Sequence, residues 1–477
     1  MPNVAGLFFP QSKSLGIDLG TYSPALLEKI VYAGAKESFQ EASRSLQHLA
    51  DVRVPKKQVE RITKRIGGER LAERAASLAA YQALPLVEKD RSGREQVPQV
   101  VALSMDGGRY QRNDACAATD DCSPSAAKSS DRAAVQRVVP SAESAEPGGA
   151  EPSRPAAAAR PGHWREFKAG CLLTLSSTVS EHDPCPEIPA TFLQPDRVAR
   201  LSREVHAAQA AEPAGAFPDA AERRCEADYD VGASGSEPDD AAAELKQPPQ
   251  RRAGAPTVLV RSVLASAVSN VAFGVMLAAA AWHRGFAAAP RRAFLGDGAA
   301  GNWTVWKKLF PRYTPILDFI HLLSYVYAAA MAGQSYANGW SSYAAWIGEL
   351  WKGRVEAVLA ALRERVAALG PAPRDAATTD PRRVVAETLR YISNNRSRMR
   401  YDNYRRLGLP LTTCHMESTV KQINQRVKGT EKFWSEGGGE ALLQLRADYL
   451  SDTDPLETFW QRRQDKATGQ RSYSCAA

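Results

Sequence analysis

Three carboxylates stand where they could do chemistry together. Asp106 closes the apolar run Val100–Met105, Asp297 closes the short run Arg291–Gly296, and Glu417 lies in a helical stretch that begins near His415. Singly, each has an ordinary explanation. Asp106-Gly107 and Asp297-Gly298 are dipeptides of the kind that close hairpin turns, and a Glu near a helix start complements the helix dipole. Their order along the chain says more: an acid at the end of one strand, an acid at the end of a later strand, then a Glu within helices. If the fold gathers them, three carboxylates repel one another unless cations lie between. A small set of hard oxygen ligands suits Mg²⁺ or Mn²⁺. Two such ions about 4 Å apart activate an attacking hydroxyl and stabilise a leaving oxygen in phosphoryl transfer. The chain has neither a GxxxxGK[ST] phosphate loop nor a GxGxxG turn, so ATP and dinucleotide chemistry are unsupported.

The elements that must position these acids can be read in outline. Val100–Met105 reads as a buried strand, and Trp164–Lys168 and Cys171–Leu175 as two strands of a meander, so that 97–111 and 162–182 form the first strands of a core. Residues 112–161 between them are poor in large apolar side chains and read as a disordered insertion; 205–256 read as a low-complexity linker. Val258–Trp282 is long and apolar enough to cross a bilayer, but Arg261 is costly in lipid, so a buried or half-buried helix is expected and no membrane span. Arg291–Gly296 and Thr314–Phe319 follow as strands, completing a second half of the core over 257–321. A helix from His321 leads into a region, 322–405, expected to be helical throughout. The third acid sits in a helical block over 406–450, and a tail occupies 451–477. The fold class expected is α/β, with an RNase H-like mixed sheet, an all-helical insertion, a helix-turn-helix domain in front and two disordered insertions.

Charge points to a polyanionic partner. The 477 residues carry 61 Lys+Arg against 53 Asp+Glu, a net charge of +8 and a pI near 9.1. The excess is modest overall but dense between Arg390 and Lys432, a segment containing Arg396, Arg398, Arg400, Lys421, Arg426 and Lys428. Residues 23–90 read as helices. Ser23-Pro24 opens the first, a second carries Phe39, Ala42 and Leu46, and a third starts at Pro55 and stops at Gly67-Gly68. The last two, joined by a short turn, fit a helix-turn-helix with Lys57, Arg61 and Lys64 on its outer face. A solvated face on a helical bundle would look the same. In the helix of Glu417, Met416, Val420, Ile423 and Val427 share one stripe, while Glu417, Lys421, Asn424 and Lys428 share another about a quarter-turn away. Seven scattered cysteines without a CxxC pair argue against a zinc ribbon or disulfide framework and suit a reducing cytosol. The opening residues lack the pattern of a secretory signal.

Several runs together resemble a known family. Ser104–Arg109, Leu295–Ala299 and Asn394–Tyr401 look like the Kra-type bacterial insertion-sequence transposases, which are similar to the Mutator-like DDE enzymes. Leu317-Asp318-Phe319-Ile320-His321 resembles the DxxH element of that superfamily, and the stretch from Gly408 to Trp434 its third-acid block. The resemblance implies that Asp106, Asp297 and Glu417 bind two Mg²⁺ or Mn²⁺ ions, that His321 reaches the site, and that 322–405 is an insertion in the core. It further implies a transposase that binds element ends in double-stranded DNA, cuts them and joins them to target DNA. Such an enzyme would work as a homodimer or higher oligomer on DNA, in the bacterial cytoplasm at the nucleoid. Two other readings share features with this one: a catalytically inactive, domesticated DNA-binding derivative, and a structure-specific nuclease on the same fold. The chain departs from the pattern at Leu411–Met416, where relatives carry Gly-Ser-Gly. Residues 1–22 resemble the end of a cysteine-rich segment whose cysteine pairs are absent here.

Overall fold

The computed structural model of the chain describes residues 22–91, 97–113, 163–210, 254–429 and 432–468. Most of the expected insertion 112–161 and linker 205–256, the first 21 residues and the tail beyond 468 lie outside them.

A mixed α/β architecture is built on a six-stranded sheet. Its strands are β1 (Val100–Arg112), β2 (Trp164–Ser176), β3 (Thr257–Ser266), β4 (Arg291–Gly296), β5 (Thr314–Leu317) and the two-residue β6 (Phe433–Trp434), in the order β3-β2-β1-β4-β5 with β6 on the far end of β1. β1, β2 and β3 form an antiparallel meander, whereas β4 and β5 run parallel to β1. Apolar residues fill the central strands almost continuously: Val100, Val101, Ala102, Leu103, Phe294 and Leu295 are all buried, as parallel strands covered on both faces require.

Two expectations about strands need correction. β1 does not end at Met105; it continues through Asp106-Gly107-Gly108 to Arg112, because β2 pairs with it along its whole length. For the same reason Trp164–Leu175 is one strand, not two. The expected helix over 258–282 is in fact a strand followed by a helix. Val258, Val260 and Val263 belong to β3 on the edge of the meander. The helix starts only at Asn270, where the Ser269 hydroxyl accepts from the Ala272 amide at 3.4 Å. Among the described residues no helix is long and apolar enough to cross a membrane.

Helices flank the sheet. In chain order they are α1 (Pro24–Lys36), α2 (Phe39–Ala50), α3 (Lys56–Ala83), α4 (Leu86–Lys89), α5 (Pro195–Ala210), α6 (Asn270–His283), α7 (Ala300–Leu309), α8 (Phe319–Met331), α9 (Tyr336–Trp351), α10 (Val355–Leu369), α11 (Pro381–Asn395), α12 (Tyr401–Arg406), α13 (Cys414–Val427), α14 (Glu436–Tyr449) and α15 (Pro455–Thr468). Residues 205–210, expected in a linker, belong to α5, and the region 322–405 is helical apart from its connections. Opposite faces of the sheet are identified by two glycines. A side chain at Gly170, paired with Met105, would strike Leu277 and Phe273 of α6, whereas one at Gly108 would approach Asn424 of α13. Side chains alternate along β1, so α6 lies on the Met105 face and α13 on the Asp106 face.

The N-terminal helices are bound tightly to the sheet domain. α3 does not stop at Gly67-Gly68 but continues to Ala83, 28 residues in all, and Gly67 lets α14 approach: a Cβ there would come within 2.8 Å of the Ala441 carbonyl. Further along α3, Arg70 donates to Asp448 at 2.9 and 3.1 Å, and Arg74 to Glu440 at 2.6 Å.

Candidate active site

The strand register gathers the acids. β1 and β4 pair as far as Ser104↔Leu295, and two more residues along the same register bring Asp106 beside Asp297. β4 and β5 pair as far as Gly296↔Leu317, and one more residue brings Asp297 beside Asp318. Three aspartates therefore stand in one row across the carboxyl ends of the three parallel strands, with neighbouring strands about 4.8 Å apart. α13 crosses the same face with Glu417 in its first turn, and its expected core stripe, Met416, Val420, Ile423 and Val427, is buried.

Each acid is held differently. The Asp106 carboxylate accepts from the amide of Gly107 at 2.7 Å. Burial and then the charge of Asp297 push Asp106 up to about 6. Asp297 accepts from the Ala299 amide at 3.0 Å and from Asn302 at 2.9 Å. The same Asn302 amide group donates to the Met105 carbonyl at 3.3 Å, tying the ends of β1 and β4 together. Gly298 follows with φ of 103°, and a Cβ there would strike the Tyr391 ring; only glycine permits both the backbone and the approach. Tyr391 donates its hydroxyl hydrogen to the Asp297 carbonyl at 2.6 Å.

Asp318 is fully buried and both of its oxygens are engaged. Oδ2 accepts from the His321 amide at 2.8 Å and faces His321 Nδ1 at 2.7 Å; Oδ1 accepts from the Thr413 amide, the N-cap of α13, at 2.8 Å. Asp318 thus caps α8, orients His321 and fixes the start of the helix carrying Glu417. His321 Nδ1 lies 3.9 Å from Glu417 Oε1. Burial opposes a charge on His321, but the Asp318 bond and the surrounding carboxylates outweigh it and raise the imidazole to about 10. Burial, then Asp318, push Glu417 up to about 7, while His321 and Lys421 draw it down.

Asp318, His321 and Glu417 present ligand atoms within 4.8 Å of one another. Both Asp318 oxygens already accept from protein donors, and Asp106 and Asp297 lie outside this group, on the neighbouring strands. Hard oxygens that raise one another's affinity for protons fit a divalent cation such as Mg²⁺ or Mn²⁺.

Of the sequence-predicted residues, Asp106, Asp297, His321 and Glu417 come together. Among the basic residues, Lys57, Arg61, Arg396, Arg400 and Lys421 are exposed, and Lys64 and Lys428 half-buried. Arg426 does not fit the expected DNA-contacting role. It is 2% exposed, donates to the Gly34 carbonyl at 3.0 and 2.8 Å, and packs over Phe39 and Trp434, so it holds α1 to α13. Arg398 is also engaged, stacked 4.3 Å over Trp303 and donating to Asn395 at 2.9 Å. Sequence reasoning gave no role to Asp318, Asn302 or Tyr391. For Asp318 there was a signal, an Asp placed to cap a helix with His three residues on. Asn302 and Tyr391 carry no comparable mark.

No protein family, curated protein or solved structure matches this chain.

Proposed function

We propose that the chain is a DNA transposase of the DDE type, with an RNase H-like core whose metal-binding acids are Asp106, Asp297 and Glu417. The observation that carries this reading is the row Asp106–Asp297 across β1 and β4, closed from above by Glu417 on α13. A meander of three antiparallel strands followed by two parallel ones, in the order β3-β2-β1-β4-β5, supports an RNase H-like core, in which the expected insertion 322–405 would comprise most of α8 and the helices through α12. Two divalent cations, when bound, would activate the attacking hydroxyl and neutralise charge on the phosphate.

The chain's own groups do the rest. Asn302 and the Gly298 turn hold Asp297 against Asp106. Asp318 holds His321 through Nδ1, leaving Nε2 as the ring nitrogen able to serve a phosphate oxygen. Lys421, one helical turn after Glu417, adds positive charge on the flank where the DNA backbone approaches. α2 and α3 supply the helix-turn-helix, with Lys57 and Arg61 outward. Duplex DNA is the partner, and a homodimer or higher oligomer on DNA the working form.

The test is incubation of the full chain with DNA carrying the sequences that flank its own gene, with Mg²⁺ or Mn²⁺. Cleavage and strand transfer are expected from the unaltered protein, and only background from Asp297→Asn, with DNA binding retained by both. Metal-dependent cleavage undiminished in Asp297→Asn would overturn the assignment.

A further inference from the structure

Asp297 is the one acid of the row that stands between two glycines, and an aromatic ring is pressed against each of them. A Cβ at Gly296 would come within 3.1 Å of the Trp303 ring of α7, and one at Gly298, whose φ is 103°, would strike the Tyr391 ring of α11. The backbone around Asp297 is thus held between a ring from the sheet domain and a ring from the helical region 322–405. The second ring is itself fixed: Tyr391 stacks on Tyr325 of α8, with centroids 3.9 Å and planes 11° apart. The first is backed by Arg398, just beyond α11, whose guanidinium lies 4.3 Å from its centroid.

Hydrogen bonding follows the same division. At the end of β4 the Asp318 amide donates to the Gly296 carbonyl at 2.8 Å. β5 ends at Leu317, so its pairing does not reach the next carbonyl, that of Asp297. A backbone carbonyl left at the end of a sheet needs a donor from elsewhere. Tyr391 provides it through its hydroxyl at 2.6 Å, from 94 residues away in sequence. The donors to the Asp297 carboxylate, the Ala299 amide and Asn302, lie on the same turn and the helix it opens, so they travel with it. Asn302 anchors that helix to β1 through the Met105 carbonyl at 3.3 Å. The turn itself is anchored by Tyr391.

We infer that Tyr391 is a positioning residue: its hydroxyl and ring hold the Asp297 turn in the orientation that presents the carboxylate to a divalent cation, so that the helical region 322–405 sets the metal affinity of the site. The inference rests on the proposed function for the identity of the site and goes beyond it in making metal binding depend on the seating of α11. A cation gathered by carboxylates from separate elements gains most when the acids are already in place. Freeing one turn adds an ordering cost to every binding event.

The experiment follows the melting of the full chain, without DNA, across a Mn²⁺ titration and reads the half-saturating concentration. The unaltered protein should show a saturable rise. Tyr391→Phe keeps the ring against Gly298 and Tyr325 and removes only the hydroxyl. It should raise the half-saturating Mn²⁺ concentration at least about fivefold, or about 1 kcal/mol. Leu27→Ala, at a buried position of α1 away from α11, supplies the contrast. It should lower metal-free melting at least as much as Tyr391→Phe does and leave the half-saturating concentration unchanged. Unchanged half-saturation in Tyr391→Phe would overturn the inference. An equal rise in Leu27→Ala would do so too, by making metal affinity a reflection of general stability. A melting temperature that Mn²⁺ does not raise in the unaltered protein would overturn both this inference and the proposed function. Weakened metal binding in Tyr391→Phe, in a protein that never cleaves the DNA flanking its gene, would sink the proposed function and leave this inference standing. Cleavage by the unaltered protein with unchanged half-saturation in the variant would do the reverse.

Discussion

Two sets of buried and half-buried acids in this molecule are treated in opposite ways. Asp448 on α14 has both oxygens answered: Oδ2 takes Arg70 Nε at 2.9 Å, and Oδ1 takes Arg70 Nη2 at 3.1 Å and Gln444 at 2.9 Å. Nearby Glu440 accepts from Arg74 at 2.6 Å and from the Ala267 amide at 2.8 Å. By contrast, Asp106 and Glu417 are answered mainly by other acids. Glu417 accepts no hydrogen bond among the described residues; its one ion-pair contact there is His321, already committed to Asp318. Burial disfavours the charge in both places, but only at Asp448 does the protein supply the counter-charge itself. An acid the fold surrounds with donors is holding elements together. A group of acids the fold presses against one another is left without a counter-charge from the described residues beyond His321.

Substitution separates the two most sharply. Arg70→Ala leaves Asp448 buried without its cation and should cost about 3–5 kcal/mol of stability, the range for breaking one partner of a buried pair. Asp106→Asn removes a source of repulsion. Measured by thermal melting without metal, it should leave stability unchanged or raise it, while abolishing any metal-dependent DNA cleavage. A marked drop in melting temperature for Asp106→Asn would put that residue in the same class as Asp448 and remove the contrast.

Acidity offers a second, smaller contrast. Asp106 near 6 and Glu417 near 7 both lie above the ordinary carboxylate range. An acid whose folded value is raised is better tolerated protonated, so in the metal-free protein these two cost stability progressively as pH climbs from about 4 to about 7. His321, raised to about 10, contributes stability that is fully present below its ordinary 6.5 and is lost progressively from there to about 10. A divalent cation needs the ionised acids. Saturating Mg²⁺ should therefore raise the melting temperature by roughly 1–2 °C for each kcal/mol of binding linkage, with a larger gain at pH 8 than at pH 5. The gain should vanish in Asp106→Asn. An Mg²⁺ effect equal at both pH values, or preserved in that variant, would place the binding elsewhere.

What the sequence disclosed follows the range of each interaction. The three acids were legible because each closes an apolar run or opens a helix, which are local patterns. So was the stripe Met416, Val420, Ile423 and Val427, since helical periodicity alone defines it. The full length of β1 was not legible: Asp106-Gly107-Gly108 has the composition of a turn, and only its pairing with β2 across a separation of some sixty residues keeps it extended. Val258–Ser266 failed for the same reason, its apolar content being equally good for helix or strand until β2 provides an edge. Arg426 misled because a cation in a basic run gives no hint that Phe39 and the Gly34 carbonyl, contributed by helices almost four hundred residues earlier, will enclose it together with Trp434. Gly67 misled likewise, reading as a helix stop when it is a contact with α14.

The smallest effect concerns cations that face outward. Lys57 and Lys64 both reach Glu60, at 3.5 and 2.7 Å, so one acid serves two lysines, whereas Arg61 between them is exposed. Exposed pairs of this kind contribute at most about 1 kcal/mol, so the face adds little to stability, unlike Arg70 and Arg74 on the same helix. If it meets DNA, its contribution appears in the salt dependence of binding, since each phosphate left without its protein cation lowers the slope by about 0.9. Replacing Lys57, Arg61 and Lys64 with Ala should therefore flatten the plot of log affinity against log salt by between about one and three units, with melting nearly unchanged. The lower end applies if Glu60 keeps the two lysines engaged, and Glu60→Gln, by releasing them, should then steepen the slope of the unaltered face. A triple variant with unchanged slope would assign this part of α3 to packing alone, and α3 would be wholly what its inner arginines already make it, a strut bolted to α14.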